Sequence, residues 1–402
     1  MTEGASGGEV PDRPPVWWRR RRWQVTLGIF VALLLVTGLG GYLLVRHLDG
    51  NLTRADYRDQ LTDRPSNEVD DGPRLPLDIL VMGSDSREGD NAIDDEAADS
   101  ERADVTILMH LSADRRRAYG VSLPRDALVD RPDCTLADGT VVPGETQVMF
   151  NEAYEVGGAA CLIQTVEQLT GVRIEHHVEI DFDGFRRMVD AIGGVEVCIP
   201  FAVNDPDKGI FLDAGVQKLD GDQSLDYVRE RQNLSRTGDI GRMRRQQAFV
   251  ASMAAQVVSA DMLLQPHRLL RFLDAATASL TIDPGLGGVW DLTQLARQFA
   301  GIGLDNIEFV TVPFVESTTR PGRLEWTEDA EGLWERMRAD RPLGPYAEDA
   351  IRAADQPGSG GTGPGNRPSN SPDDGPDGDP GTDGPGPDAD GRLEATPDGL
   401  CA

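Results

Sequence analysis

Histidine and cysteine are scarce in this chain, with five and four among 402 residues. No C-x-x-C pair occurs and the histidines are scattered, which speaks against a zinc site and against a disulfide-dense scaffold. Basic residues are outnumbered, 39 Lys and Arg against 68 Asp and Glu, for a formal net charge of −29. An extended basic surface is therefore missing, and with it the electrostatic footprint of a nucleic-acid binder. No internal repeat stands out. Nothing like a small-residue A-x-A cleavage site follows the one long apolar run, so that run reads as a retained helix rather than a removable signal peptide.

That run is the first thing present. From Val25 to Val45 there is no charged residue, and about 20 apolar residues in helical form span a hydrocarbon core. Four arginines, Arg19 to Arg22, precede it, with Trp17, Trp18 and Trp23 at the expected interface. An arginine excess beside a span marks the cytoplasmic side. The expectation is a cytoplasmic tail over 1–23, a membrane helix over 24–46 and an extracytoplasmic linker over 47–72. The far end, 344–402, is Gly, Pro, Asp and Ser with almost nothing to bury. Such a composition does not offset its ordering entropy, and the segment is expected to be a disordered tail.

Between these ends, residues 73–343 alternate strand and helix signals, which suits one α/β domain. "LDILVMG" reads as a buried strand, and "DVTILMHLS" with "RRAYGVSLP" as an antiparallel hairpin turning through "ADRR". "AACLIQTVEQLTG" puts Leu162, Val166 and Leu169 on one helical face and stops at Gly171. "IGRMRRQQAFVASMAAQVV" is a longer helix with Asp239 as its expected N-cap and Met243, Phe249, Val250 and Met253 turned to the core. Cys134 and Cys161 flank a loop on the exported side, where a bridge persists. Cys198, in "VEVCIP", reads as a buried strand residue.

Charged residues gather where strands end. "GSDSR" offers Asp85, "ERADV" offers Arg102 and Asp104, and "SLPRD" offers Arg125 and Asp126. Ligands of open α/β sheets bind beyond strand ends, and carboxylates beside arginines suit a divalent cation together with a phosphate. The stretch "YVRERQNLSRTGDIGRMRRQQ" adds six arginines in an acidic chain. Arg229 and Arg231 point the same way if the segment is extended, and Arg242 and Gln246 share a helical face. A helix start near Asp239 favours anions.

These residues also carry a resemblance. "MGSDSR", "RADVTIL", "SLPRD", "NEAYEVGG", "TVEQLTGV", "VEIDFDGFRRMVDAIGGVEVCIP", "LDGDQSLDYVRER" and "DIGRMRRQQ", in that order, resemble the LytR-CpsA-Psr family, from about Leu77 to Val258. The resemblance implies an α/β/α sandwich with a central mixed sheet, preceded by one transmembrane helix. It implies a Mg²⁺- (or Mn²⁺-) dependent phosphotransferase that moves a glycopolymer from a polyprenyl-pyrophosphate carrier in the membrane onto peptidoglycan. Carried over by position, it assigns the metal to Asp85 and Asp104. It assigns the pyrophosphate to Arg125, Arg229, Arg231 and Gln246, with Arg102, Arg242 and Arg245 around them. Asp104 is also a candidate for the base that takes the acceptor's proton. "RADV" stands where the family commonly has "RSDT", which removes two hydroxyls beside Asp104. The prenyl chain is expected in an apolar channel between the sheet and the helices of 159–170 and 182–192. A prenyl-phosphate binder, a pyrophosphatase or a regulatory anchor without transfer is the alternative set by the same residues. The spacing of Cys134 and Cys161 and "DFDGF…VC" resemble the actinobacterial branch.

Overall fold

The computed structural model describes residues 16–66, 74–84, 103–206, 209–230, 239–259, 262, 264–357 and 400–401. Asp85, Arg102 and Arg231 lie outside them. Helix α1, Val16–Asn51, contains the apolar run, and its Trp23–Asn51 portion is long and apolar enough to cross a membrane. The charge-free run from Val25 to Val45 within it meets the demand that hydrocarbon imposes, since a helix bonds its backbone groups within the segment.

From residue 51 onward the chain builds an eight-stranded mixed sheet. In chain order its strands are β1 Thr53–Arg54, β2 Leu77–Ser84, β3 Ala103–Leu111, β4 Ala118–Ser122, β5 His176–Asp181, β6 Leu280–Ile282, β7 Ile307–Thr311 and β8 Ile351–Arg352. They lie in the order β1-β6-β5-β2-β3-β4-β7-β8. β2, β3 and β4 form the antiparallel meander expected from sequence, while β5 and β7 join it in parallel to β2 and β4. The central strands are apolar on both faces, with Leu80, Met82 and Leu108 fully buried, because helices cover both sides.

One face carries α2, Glu152–Thr170, and α8, Asp329–Arg338. Leu162, Val166 and Trp334 pack there against Leu80, Met82 and Tyr119. The other face carries α5, Asp239–Val257, and α7, Val289–Ile302, with Ala248, Ala251 and Ile302 packed on Leu111 and Phe309. A third cluster joins α3, Phe182–Ala191, and α4, Gly221–Arg229, to the hairpin of Val195–Ile199 with Gly215–Leu219. Helix α6, Pro266–Thr277, packs against α3. The result is the expected three-layer sandwich. α2 starts earlier than its apolar face suggested and bends at Gly157 and Gly158, the latter at φ +60°. It ends, as expected, at Gly171, whose φ of 64° lets its N–H reach the Glu167 carbonyl.

Two boundaries and the setting of one cysteine differ from the sequence reading. Residues 51–66 are docked rather than linking: β1 pairs with β6, and the Tyr57 hydroxyl donates to Glu179 at 3.0 Å. Arg64 Nε donates to the buried Glu167 at 2.9 Å. Their anchors are single residues in a polar stretch, which periodicity does not register. At the other end the sheet continues past 343, since Ile351 pairs with Phe309 and Ala353 is buried. Cys198 is only half-buried. The strand alternates, Val195, Val197 and Ile199 face inward, and Cys198 is left on the opposite side, bridged to Cys401.

The expected bridge between Cys134 and Cys161 is present, with Cα atoms 5.2 Å apart and a sequence separation of 27. It ties the loop after β4 to α2. In the chain-entropy account, closing a loop of that length contributes about 3.5 kcal/mol. The double variant Cys134→Ser, Cys161→Ser is expected to lose about that much in urea unfolding; an unchanged midpoint would contradict the assignment.

A buried ion cluster pins the base of the meander. His110 Nδ1 lies 2.7 Å from Asp78, and its Nε2 lies 3.2 Å from Asp340. Burial alone pulls the imidazole down, but the two carboxylates outweigh it and hold His110 at about 9. A folded-state value above the unfolded one near 6.5 gives stability that is complete below that value and disappears as pH rises through 9. Stability is expected to fall between pH 7 and 10 as His110 loses its proton. His110→Gln should flatten that slope, as read from melting temperatures across the range.

Candidate active site

The sheet presents one end to the site. Ser84 at the end of β2 pairs with Asp181 at the end of β5 and with Ala103 at the start of β3. Asp104 is therefore the second residue of a strand whose first lies on this rim. Arg125 follows β4 by three residues, and its carbonyl accepts from Asn151 N–H at 3.1 Å. Two capped helices, α3 and α4, supply further residues. Asp181 caps α3 by accepting from Gly184 N–H, which places Phe182 at the helix start. Asp220 and Gln223 close a capping box on α4, whose last residue is Arg229.

Asp104, Val105, Phe182, Val228, Arg229, Arg242 and Gln246 line a cavity of about 160 Å³. Arg242, Gln246 and Phe182 are buried. The Arg229 guanidinium carbon sits 4.9 Å from the centre of the Phe182 ring, a cation–π contact that fixes the long side chain beside the cavity. Arg242 comes from the first turn of α5, where the helix dipole favours negative charge, and Gln246 from one turn further on. Gln246 Nε2 also donates to the Val228 carbonyl at 3.0 Å, so this amide ties α5 to α4 as well as facing the cavity. Arg125 Nη1 donates to Asp104 Oδ1, which brings its guanidinium to the edge of the same group.

Of the residues named from sequence, Asp104, Arg229, Arg242 and Gln246 thus meet in one place, with Arg125 bonded to them through Asp104. Arg229 does not lie on an extended segment. It closes a helix, because the capping box starts a turn that runs through "GDQSLDYVR". The arginine-rich stretch divides by helical position. Arg244 turns away and donates to the Asp349 carbonyl. Arg245 is fully buried and donates to the Glu230 carbonyl, and burial lowers its pKa below the usual guanidinium range. Beside it, burial pushes the Tyr227 hydroxyl up to about 12. Arg245 therefore braces the turn after α4 from behind, and Arg242 faces forward.

In the apolar part of the cavity Phe182 opens the 182–192 helix expected as a channel wall, while Val105 and Val228, single apolar residues beside strand and helix ends, carry no distinct pattern in the sequence. The stripe of α2 proposed there as one wall of a channel is plain core, with Ala159, Leu162, Ile163 and Val166 nearly solvent-free among the sheet residues.

Among the described residues no group of three or more His, Cys, Asp or Glu is placed to hold a metal. That does not misfit Mg²⁺ or Mn²⁺. Mg²⁺ commonly takes one or two carboxylates and completes its shell with substrate phosphates and water. Asp104, a hard oxygen ligand on the cavity wall among arginines, is a donor of that kind.

The LytR_cpsA_psr family matches residues 45–337. The chain is 32% identical over 323 residues to the cell wall biosynthesis protein LcpA of Corynebacterium glutamicum, covering 72% of this chain but only 59% of that protein's length. It is 29% identical over 311 residues to the polyisoprenyl-teichoic acid–peptidoglycan teichoic acid transferase TagU of Halalkalibacterium halodurans, covering 74% and 94%. In fold it is similar to the LytR-Csp2A-Psr enzyme from Actinomyces oris, with a TM-score of 0.54, 19% identity, and 75% and 98% of the two chains covered.

Proposed function

The chain belongs to the LytR_cpsA_psr family, and from that premise we propose that it transfers a glycopolymer from a polyprenyl-pyrophosphate carrier to peptidoglycan. The observation that carries this reading is the cavity itself, where Arg229 and Arg242 stand beside one carboxylate, Asp104, and an apolar wall of Val105, Phe182 and Val228. Guanidinium forks suit phosphoryl oxygens, and the apolar wall suits the first carbons of a prenyl chain. The name of the TagU relative describes the same kind of donor and acceptor.

In the proposed reaction an acceptor hydroxyl of peptidoglycan attacks the glycan-side phosphorus. A new P–O bond forms, the bond to the bridging oxygen breaks, polyprenyl monophosphate leaves, and the hydroxyl proton is lost. Charge grows on the bridging and peripheral oxygens, so donors set in place beforehand supply most of the stabilisation. Arg229 and Arg242, held by Phe182 and by α5, bind those oxygens together with Arg125, and the family resemblance adds Arg231 and Arg102 to the same role. Gln246 fixes the α4–α5 angle and adds an amide contact. Asp104, with Asp85, would hold Mg²⁺ or Mn²⁺, which supplies neutralising positive charge to the pyrophosphate when bound. The alternative role for Asp104, the carboxylate among the described residues lining the cavity, is to accept the acceptor's proton.

The apolar helix anchors the domain, and the arginines at 19–22 orient it with residues 51–402 outside the cytoplasm. A reporter fused after Ala402 should be active only on the exported side; cytoplasmic activity would remove the substrate from reach. The test of the activity is product analysis with purified full-length protein, lipid-linked glycan and peptidoglycan fragments. The reading expects a phosphodiester-linked glycan and polyprenyl monophosphate in equal amounts. Release of both carrier fragments without coupling would make the protein a pyrophosphatase, and no turnover would make it a binder.

A further inference from the structure

The chain enters its sheet close to the cavity. Asn51 is six residues past Val45, where the charge-free run of α1 ends, and six residues span about 20 Å even fully extended. Two residues later β1 begins, with Thr53 level with Thr281 of β6 and Thr281 level with Glu179 of β5. Two residues on from Glu179 is Asp181, which caps α3 beside the cavity residue Phe182. Two strand spacings, roughly 10 Å, thus separate the entry of the chain from the strand that ends on the rim.

Helix α6 joins that entry to α3. Asn51 Nδ2 donates to Asp274 Oδ1 at 3.0 Å and reaches Thr277 Oγ1 at 3.5 Å, which fixes the end of α6 to the start of the sheet. α6 packs against α3, and Arg187 of α3 donates at 3.4 Å to Ser279, just past the end of α6. Leu269 and Phe272 turn inward onto the cluster of Val189 and Ile192. His267, Leu270, Arg271 and Asp274 share the opposite, exposed face. Leu270 is 42% exposed, and Leu264, in the turn before the helix, is 79% exposed.

We propose that this face of α6, with Leu264, rests on the phospholipid surface beside the anchor and holds the cavity rim at headgroup depth. The carrier pyrophosphate then reaches the arginines while its prenyl chain stays in the bilayer. The proposal rests on the reading of α1 as a membrane anchor. The tether is what names the occupant: the end of α6 is bonded to a residue that lies within about 20 Å of the end of the apolar run. The side chains suit an interface, with leucines for the acyl boundary and His267 and Arg271 at phosphate level. So small a face binds lipid weakly by itself, but the anchor makes the contact intramolecular, and a weak contact is then populated. Trp290 gives the contrast. It is 61% exposed, yet it opens α7 after β6 has run away from the rim, from Leu280 level with Ile180 to Ile282 level with Val178.

All four cysteines are bridged, so a cysteine introduced at one position takes a single label. Full-length protein with Leu264→Cys, Leu270→Cys or Trp290→Cys, each carrying a nitroxide, is placed in vesicles of phosphatidylethanolamine and phosphatidylglycerol. The labels at 264 and 270 are expected to be shielded from a water-soluble nickel chelate and relaxed by lipid-borne oxygen. The label at 290 is expected to behave as aqueous. Leu264→Glu with Leu270→Glu should raise KM for a long-prenyl donor in those vesicles about tenfold, without lowering kcat. The same variant should use a short-prenyl, water-soluble donor like wild type and melt at the same temperature. Labels at 264 and 270 as aqueous as that at 290 overturn the proposal, as does an unchanged KM in vesicles. Shielding that appears only when peptidoglycan fragments are added overturns it too, and makes the face a glycan contact. If wild-type protein transfers nothing, the functional reading fails while the labels still decide this one.

Discussion

Arg125→Ala is expected to lower the rate of glycopolymer transfer about 10²–10³-fold, the usual consequence of losing one donor preset for charge that develops in the transition state. Arg125 follows β4 on a backbone fixed by the Asn151 N–H, and its side chain is mostly enclosed between Asp104 and Asp126. Arg125→Lys should recover little, because an ammonium cannot span two oxygens as the guanidinium does. The loss should fall on the rate rather than on the fold, since both carboxylates left behind keep some solvent and Asp126 keeps Arg323. Transfer rates for the three proteins, with a thermal melt of each, check this.

Asp104→Asn should remove the response of the rate to added Mg²⁺ or Mn²⁺ and lower transfer about 10²-fold at saturating metal. The amide keeps the shape of the side chain and can still accept from Arg125, so loss of the hard anionic oxygen is what is tested. A metal titration of transfer by wild type and variant gives the result directly. A variant that keeps the same metal response would put the ion, if one binds, on other residues.

Much of this site was legible because charge at strand ends is a local signal. Asp104 and Arg125 were found from "ERADV" and "SLPRD" by position alone, and the four-residue step from Arg242 to Gln246 placed both on one face of α5. What was not legible depends on tertiary geometry. The conformation at Arg229 follows from the capping box of Asp220 and Gln223 nine and six residues earlier, which makes that residue a helix end rather than part of an extended strand. Phe182 becomes a wall of the cavity only because Asp181 caps α3 at the rim. Arg323 lies almost 200 residues from Asp126 in sequence, and no periodicity links them. The same distinction runs through the fold. The meander of β2, β3 and β4 follows from apolar runs and a short turn, whereas β1 and β8 are two-residue strands whose existence rests on the neighbours they pair with.

The central claim is that this cavity binds the pyrophosphate and carries out the transfer. Its most direct test is the double variant Arg229→Ala, Arg242→Ala in full-length protein, assayed for phosphodiester-linked glycan from lipid-linked donor and peptidoglycan fragments. The account predicts product below about one-hundredth of wild type, with weakened binding of the polyprenyl pyrophosphate and an unchanged secondary-structure content. Wild-type transfer by a folded double variant would contradict it and place the reaction elsewhere in the molecule.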